Sequence, residues 1–169
     1  MFSMAFAVTR RRRFAAAAAL VAALLAPAAA AAAPAAQASV SHPALTGGSS
    51  AGNAALNWAE GHARGCWYSY GGSSCSRGYD CSGLVMEAFG HGAGIWLPHS
   101  TYAMLGNPHL HRIPLSQAQR GDLMFYGSGH VEMNTIWYHQ TFGAHSSGQR
   151  VGYITWGSWW YPTAAYRVW

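Results

Sequence analysis

Cys81 is the residue of this 169-residue chain whose surroundings most favour chemistry. It lies in the stretch RGYDCSGLVMEAFG, where Asp80 is a suitable helix N-cap and the apolar residues after Gly83 have helical spacing. A helix N-terminus favours negative charge, and a thiol becomes a nucleophile when it loses its proton. Cys81 is therefore a candidate nucleophile. The alternatives are a packing residue and half of a disulfide.

A cysteine nucleophile needs a base, and His130 is the first candidate. It follows Gly127-Ser128-Gly129 at the start of a predicted strand, from which its side chain can project toward a helix N-terminus. A cysteine and a histidine stabilise each other as thiolate and imidazolium. A third polar group usually orients the imidazole, and His145, at the end of the next predicted strand, can fill that role, with His139 as the nearby alternative.

The number of cysteines bears on the state of Cys81. The chain has three, and Cys66 and Cys75 lie nine positions apart in a stretch rich in Gly and Ser. An oxidising compartment would allow these two to form a disulfide and leave Cys81 free. A Cys75 to Cys81 pairing is also compatible with the spacing, which does not reveal the distance between the Cα atoms.

Two helices are predicted in the first half of the domain. The first covers residues 53–63, with Asn53 as its N-cap and Ala55, Leu56 and Ala59 on one face. The second begins after Asp80 and ends within the glycine-rich residues 90–94. Between them, residues 65–78 are a glycine-rich loop.

The pattern changes to period two after Arg120. It predicts short strands that are separated by Gly-Ser or Ser-Ser-Gly turns and cover residues 122–126, 130–137, 141–145 and 151–156. Short turns favour antiparallel neighbours. Helices followed by strands indicate an α+β domain in which a helix packs on an antiparallel sheet.

The N-terminus has the features of a secretory signal peptide. Arg10 to Arg13 precede an apolar run, and Ala36-Gln37-Ala38 fits a cleavage site, so we expect residues 1–38 to be removed. A membrane anchor is the alternative, but the run is mostly alanine and is broken by prolines. The arginines also faintly resemble a twin-arginine signal. Residues 39–52 are predicted to be a flexible linker, and residues 53–169 a single compact domain.

Removal of the signal changes the charge of the protein. The whole chain has ten arginines, no lysine and five acidic residues, but four of the arginines belong to the signal. Six arginines against five acids leave a net charge of +1, which gives no support to nucleic-acid binding through a basic patch. A metal site has little support either, because His109 and His111 are not accompanied by a His-Glu-x-x-His or Cys-x-x-Cys motif.

Several motifs of this chain, taken in order, resemble those of the NlpC/P60 family of cell-wall peptidases. They are YSYGG at 68–72, YDCSGLV at 79–85, GIWLP at 94–98, RGDLMF at 120–125, HV at 130–131 and AH at 144–145. The resemblance implies a papain-like α+β fold, with N-terminal helices packed on a central antiparallel sheet.

The resemblance also implies roles for individual residues. Cys81 would be the nucleophile, His130 the general base and His145 the orienting residue, with Tyr68 beside the nucleophile. Asp80 and Ser82 would contact the substrate, the aspartate facing the free amino end of a stem peptide. The family's usual reaction hydrolyses the bond between γ-D-glutamate and a diamino acid in peptidoglycan. It needs no cofactor.

Four positions depart from the family pattern. Tyr70 stands where tryptophan is usual, His99 where arginine is expected, and Met104 where glutamine is expected. Glu132 replaces a small residue and shares a face with His130, so a carboxylate is expected close to the base.

Two classes of function follow from these observations. The first is a secreted or wall-associated bacterial cysteine peptidase, a monomer that acts on stem peptides; a related amidase or an antibacterial effector would use the same residues. An effector would also imply an inhibitor or immunity protein as a partner. The second class is a non-catalytic wall-binding module. The eight tryptophans and nine tyrosines fit sheet packing or, alternatively, stacking on sugar rings.

Overall fold

The computed structural model describes residues 47–169, and the predicted signal peptide and residues 39–46 of the predicted linker lie outside that range. The described helices are α1 (Ser50–His62), α2 (Cys81–Ala93) and α3 (Thr101–Met104), and a 3₁₀ turn covers Leu115–Gln117. The strands are β1 (Ser73–Ser74), β2 (Gly78–Tyr79), β3 (Leu110–Ile113), β4 (Leu123–Tyr126), β5 (His130–Asn134), β6 (Gln140–Gly143), β7 (Gly152–Thr155) and β8 (Ala164–Val168).

Helix α1 begins three residues earlier than the sequence analysis predicted. Ser49 is the N-cap, and its hydroxyl accepts a hydrogen bond of 3.0 Å from the backbone N–H of Gly52. Asn53, the predicted cap, lies inside the helix, and its side-chain amide donates to the backbone carbonyls of Gly47 and Ser49. The helix buries Ala55, Leu56 and Ala59, as its apolar spacing predicted.

Helix α2 follows the prediction closely. Asp80 is its N-cap and accepts a 2.6 Å hydrogen bond from the backbone N–H of Gly83. Gly94 ends the helix in the left-handed conformation with φ of 72°. The helix packs against α1 and against β5, so its first residue is held close to the start of that strand.

The larger sheet has six antiparallel strands in the order β3-β8-β4-β5-β6-β7. The four strands predicted from the sequence correspond to β4 to β7, which are contiguous in this sheet. The sequence analysis missed β3 and β8. In the structure β8, in the aromatic C-terminal segment, inserts between β3 and β4. The predicted α+β architecture of helices on an antiparallel sheet is confirmed.

The two faces of the sheet have different environments. Leu123 and Phe125 of β4 and Val131 of β5 pack with the helices in the main core. Because side chains alternate along a strand, Met124 lies on the other face, in a second cluster with Trp156. His130 and Glu132 also fall on that second face, opposite Val131.

The loop between α1 and α2 is tied by a disulfide between Cys66 and Cys75, whose Cα atoms are 5.1 Å apart. This is the first of the two pairings considered above, and it leaves Cys81 as a free cysteine. The short strands β1 and β2 pair within the same loop. Among the described residues, no helix has both the length and the apolar character needed to cross a membrane.

The C-terminal aromatic residues divide between packing and exposure. Trp156 is buried in the second cluster, with 8% of its surface exposed. Trp159 is 80% exposed, and Tyr161 and Trp169 are about half exposed. Packing therefore explains only part of this aromatic segment.

Candidate active site

Cys81 is the first residue of α2 and is largely buried, with 8% of its surface exposed. Burial disfavours the thiolate, but the hydrogen bond and the charge of His130 outweigh it, and the pKa of Cys81 lies below its ordinary value. The Val131 backbone and the Thr101 hydroxyl, the latter 3.8 Å from the sulfur, act in the same direction. The predicted nucleophile thus has the environment that favours its reactive form.

His130, the predicted base, is the first residue of β5 and lines the same cleft as Cys81. Burial disfavours the imidazolium, but the hydrogen bonds to Cys81 and Glu132 outweigh that effect and raise the pKa of His130 to about 9. Its Nε2 is 3.1 Å from Oε1 of Glu132, which leaves Nδ1 as the ring nitrogen that can act on Cys81. One imidazole therefore joins the thiol to a carboxylate.

Glu132 is completely buried beneath the two histidines. Its Oε1 bonds His130 and also lies 2.9 Å from Nδ1 of His145. Its Oε2 accepts a short hydrogen bond from the Thr141 hydroxyl and a long one of 3.4 Å from the Tyr126 hydroxyl. Burial would raise the pKa of Glu132, but the hydrogen bonds from His130, His145 and Thr141 outweigh it and lower that pKa to about 2.

His145 is placed differently from the expectation that it orients His130 directly. The two rings are 5.5 Å apart between centroids and nearly perpendicular, and the hydrogen bond of His145 goes to Glu132. His139, the alternative, lies elsewhere, stacked between Tyr138 and Trp156. The group on Nε2 of His130 is thus a carboxylate from the same strand.

Tyr68, Asp80 and Ser82, the predicted substrate contacts, line an open cleft of about 420 Å³ together with Cys81 and His130. Burial raises the pKa of the Tyr68 hydroxyl, as do the negative charges of Cys81 and Asp80. The phenol therefore remains a hydrogen-bond donor at neutral pH. Five of the six predicted site residues therefore line one cleft, and the sixth, His145, does not.

Asp80 is a structural residue as well as a member of this cleft. Its Oδ1 accepts hydrogen bonds from the Ser82 hydroxyl at 3.1 Å, in addition to the Gly83 N–H, and lies 3.0 Å from Nε2 of His99. Its Oδ2 accepts a 2.8 Å bond from the backbone N–H of Gly71. Any substrate group that reaches this carboxylate must share it with His99.

Tyr70 and Met104, two other departures from the family pattern, lie in different environments. Tyr70 also lines the cleft and is 92% exposed, whereas Met104 is fully buried in the main core. The position where a glutamine was expected therefore contributes packing and not a polar contact to the cleft.

A cluster with the spacing of a metal site is present, but hydrogen bonds explain it. The ligand-type atoms of His130, Glu132 and His145 lie within 4.8 Å of one another, and both imidazoles are bonded to the carboxylate. His109 and His111, the other candidates, contact Trp169 separately: Nδ1 of His109 is 3.1 Å from its carbonyl, and His111 stacks on its ring.

The fold and the site define an α+β domain in which a cysteine at a helix N-terminus shares a cleft with a histidine on an antiparallel sheet. A sequence profile of the NlpC/P60 family matches residues 65–162, which is more than half of the chain. The chain therefore belongs to the NlpC/P60 family.

Two curated relatives illustrate the similarity in sequence. Peptidoglycan endopeptidase RipA of Mycobacterium tuberculosis is 39% identical over 83 residues, which are 48% of this chain and 16% of RipA. The bifunctional muramidase/DL-endopeptidase CwlT of Bacillus subtilis is 42% identical over 60 residues, 36% of this chain and 17% of CwlT. The matches thus cover only about a sixth of these longer relatives.

Solved structures show the same domain. The P60 domain of an antigen from M. avium subspecies paratuberculosis is 28% identical, with a TM-score of 0.59 over 69% of this chain and 93% of that domain. RipD of M. tuberculosis, described as a non-catalytic NlpC/p60 domain protein adapted to peptidoglycan binding, is 24% identical, with a TM-score of 0.59 over 72% of this chain and 99% of RipD. That likeness shows the fold alone.

Proposed function

We propose that this chain is a cysteine peptidase that hydrolyses the stem peptides of peptidoglycan. The observation that carries the proposal is the placement of Cys81 at the start of α2 in the same polar cleft as His130, with the pKa of the thiol lowered and that of the imidazole raised. Such a pair is the activated form of a cysteine nucleophile. The relatives named as peptidoglycan endopeptidases support the choice of substrate.

The reaction would proceed by acyl transfer in two steps. The Cys81 thiolate attacks the carbonyl carbon of the amide, and His130 gives its proton to the leaving amine, which leaves a thioester. His130 then removes a proton from water, which attacks the thioester and releases the acid and the thiol. These steps use only side chains and water, and therefore require no metal or organic cofactor.

The oxyanion formed in each step would be stabilised by the helix start. The backbone N–H of Cys81 belongs to the first residue of α2 and has no partner within the helix. In the proposed mechanism this N–H donates a hydrogen bond to the oxyanion. Tyr68 would contribute a hydroxyl donor beside the nucleophile.

The bond most consistent with the family resemblance is the one between γ-D-glutamate and the diamino acid. Asp80 and Ser82 would meet the amino end of the stem peptide, and His99 would share the aspartate with it. We further propose that the protein is exported, with residues 1–38 removed, and that it acts as a monomer in or near the cell wall.

Defined muropeptides provide the test of this function. The full chain is incubated with them, and the products are identified by mass spectrometry. We expect a new amine at the diamino acid with the wild-type chain and no product with the Cys81→Ala variant. Cleavage that survives in Cys81→Ala would contradict the mechanism. If the wild-type chain binds muropeptides without cleaving them, a wall-binding module is favoured. Cleavage of a different bond would indicate an amidase.

A further inference from the structure

Glu132 is the residue of the site whose placement the family pattern did not predict. Its carboxylate has no exposed surface and accepts hydrogen bonds from two imidazoles and two hydroxyls. A buried charge is tolerated when it is paired and hydrogen-bonded in this way. The network therefore holds the carboxylate in one position against Nε2 of His130.

The neighbouring strand leaves a space for this side chain. Gly143 is the last residue of β6, and a Cβ atom added to it would lie 2.7 Å from Cγ and 3.2 Å from Cβ and Cδ of Glu132. These distances are shorter than van der Waals contact, so any larger residue at position 143 would displace the glutamate. The glutamate on β5 and the glycine on β6 are therefore sterically matched.

We propose that Glu132 is the positioning residue of this site, that Gly143 provides the space it needs, and that His145 acts through Glu132 and not on His130 directly. This inference rests on the proposed function, because it assigns the group that orients the proposed base. The family pattern has a small residue at the position of Glu132. In this chain the small residue stands on the adjacent strand instead.

A carboxylate on Nε2 has a consequence that a neutral orienting group lacks. Without substrate, His130 faces Cys81, Tyr126, Glu132 and His145. The Trp160 ring packs against the His130 ring with 5.4 Å between their centroids. Acylation converts the Cys81 thiolate to a neutral thioester, so Glu132 becomes the remaining negative charge beside the imidazole. It continues to favour the protonated ring.

The two half-reactions should respond to this charge in opposite ways. A protonated His130 is the right species to donate to the leaving amine, whereas attack by water needs the neutral ring. We therefore expect hydrolysis of the thioester to limit the rate at neutral pH and to accelerate as the pH rises. At neutral pH and below, an acyl-enzyme should therefore accumulate, and rapid acid quenching should trap it.

The Glu132→Gln variant tests the assignment because it removes the charge and retains the size. We expect kcat/KM, which reports acylation, to fall on the order of 100-fold, since the imidazolium that protonates the leaving amine loses its charged partner. The pKa of His130, followed by NMR, should move down toward its ordinary value. The matched His145→Gln variant should lose about tenfold or less, because Glu132 still occupies Nε2. Equal losses in the two variants would overturn the proposal.

A double-mutant cycle tests the role of Gly143 separately. Gly143→Ala alone should lower kcat because its methyl group displaces the carboxylate. In the Glu132→Ala background the same change should have little further effect, since the group it displaces is gone. Additive losses, in variants whose thermal unfolding shows them to be folded, would refute the steric match.

Failure of the proposed function and failure of this inference are distinguishable. The NMR titration of His130 and the alkylation rate of Cys81 need no substrate, so they report on Glu132 even if no muropeptide is cleaved. An unchanged pKa of His130 in Glu132→Gln would overturn the inference without contradicting the proposed peptidase function.

Discussion

His99 and Asp80 face each other across the cleft, with 3.0 Å between Nε2 of the histidine and Oδ1 of the aspartate. The same carboxylate caps α2 through Gly83, so it is fixed by the helix that carries Cys81. The family resemblance assigns this aspartate to the amino end of a stem peptide, and His99 already occupies one of its oxygens. This contact bears on selectivity more than on the chemical step.

Removal of His99 should change binding selectively. In His99→Ala the Asp80 carboxylate loses one of its partners and becomes available to a substrate ammonium group. We expect KM for stem peptides with a free amino end to fall several-fold, while kcat stays within about twofold. N-acetylated peptides serve as the control and should show no such gain. An equal change in KM for both substrates would argue against an amine contact at Asp80.

The reactivity of Cys81 should depend on His130 in the free protein. Because His130 lowers the pKa of the thiol, iodoacetamide should label Cys81 in the full chain faster than it labels an ordinary thiol, both at pH 6 and at pH 8. In His130→Ala the largest contribution opposing burial is lost and that pKa rises, so labelling at pH 6 should slow by about tenfold or more. Labelling is followed by intact-mass spectrometry.

The other two cysteines provide the internal control for this measurement. Cys66 and Cys75 are joined in the disulfide and should remain unlabelled without reductant. The activated pair is contradicted if Cys81 of the wild-type chain does not react at either pH. It is also contradicted if Cys81 reacts equally fast in the wild-type chain and in His130→Ala.

Helix α2 and its chemistry were predictable because their signals are local. Asp80 is adjacent to Cys81, and the cap and the apolar face lie within thirteen residues of sequence. The placement of His145 was not predictable, because it depends on how β5 and β6 pair and on which side chain fits between them. Period two did place Glu132 on the face of His130, and that was the signal that pointed to its role.

The missed elements have physical reasons of their own. Helix α3 has four residues and β3 has four, which is too short for a periodic pattern to stand out. Strand β8 pairs with β3, which is more than fifty residues away in sequence, so its partner is set by the tertiary fold. The early start of α1 depends on the Ser49 hydroxyl, and the neighbouring glycines had favoured a linker instead.

The disulfide should stabilise both the fold and the cleft wall. The loop that it closes carries Tyr68 and also Gly71, which bonds to Asp80. Replacing both cysteines in a Cys66→Ala/Cys75→Ala variant should lower the free energy of unfolding by about 2–3 kcal/mol, measured in urea. KM should rise because the loop is less constrained.

Wild-type chain treated with a reductant is the matched control for that double variant. Reduction should reproduce both changes, and re-oxidation should restore the original values. A stability that does not respond to either treatment would contradict a structural role for the bond.

Asp122 should be a strong stability determinant without touching the cleft. It is completely buried and accepts bonds from Nε of Arg167 at 2.9 Å, from Nη2 at 2.7 Å and from the Gln119 N–H at 2.7 Å. Arg167→Ala leaves this charge buried without its partner and should cost about 3 kcal/mol of unfolding free energy in urea. Alkylation of Cys81 should be unaffected.

An Asp122→Asn/Arg167→Met variant separates loss of the pair from loss of packing. It removes both charges and keeps much of the volume, so we expect it to be more stable than Arg167→Ala alone. If the double variant is the less stable of the two, the uncompensated charge is not the source of the effect.

Acid should weaken the fold through Glu132. Hydrogen bonds hold its pKa at about 2, against an ordinary value of 4.5, so the folded state binds its proton less readily than the unfolded state. The resulting stabilisation, on the order of 3 kcal/mol, is present above about pH 4.5 and is lost as the pH falls toward 2. Urea unfolding at pH 5, 4 and 3 should show this decline in the wild-type chain, beyond that of Glu132→Gln, which has no carboxyl group to titrate at this position. Parallel pH dependences in the two proteins would mean that other carboxyl groups cause the acid sensitivity. A smaller decline in Glu132→Gln would instead assign it to the carboxylate that joins His130 to His145.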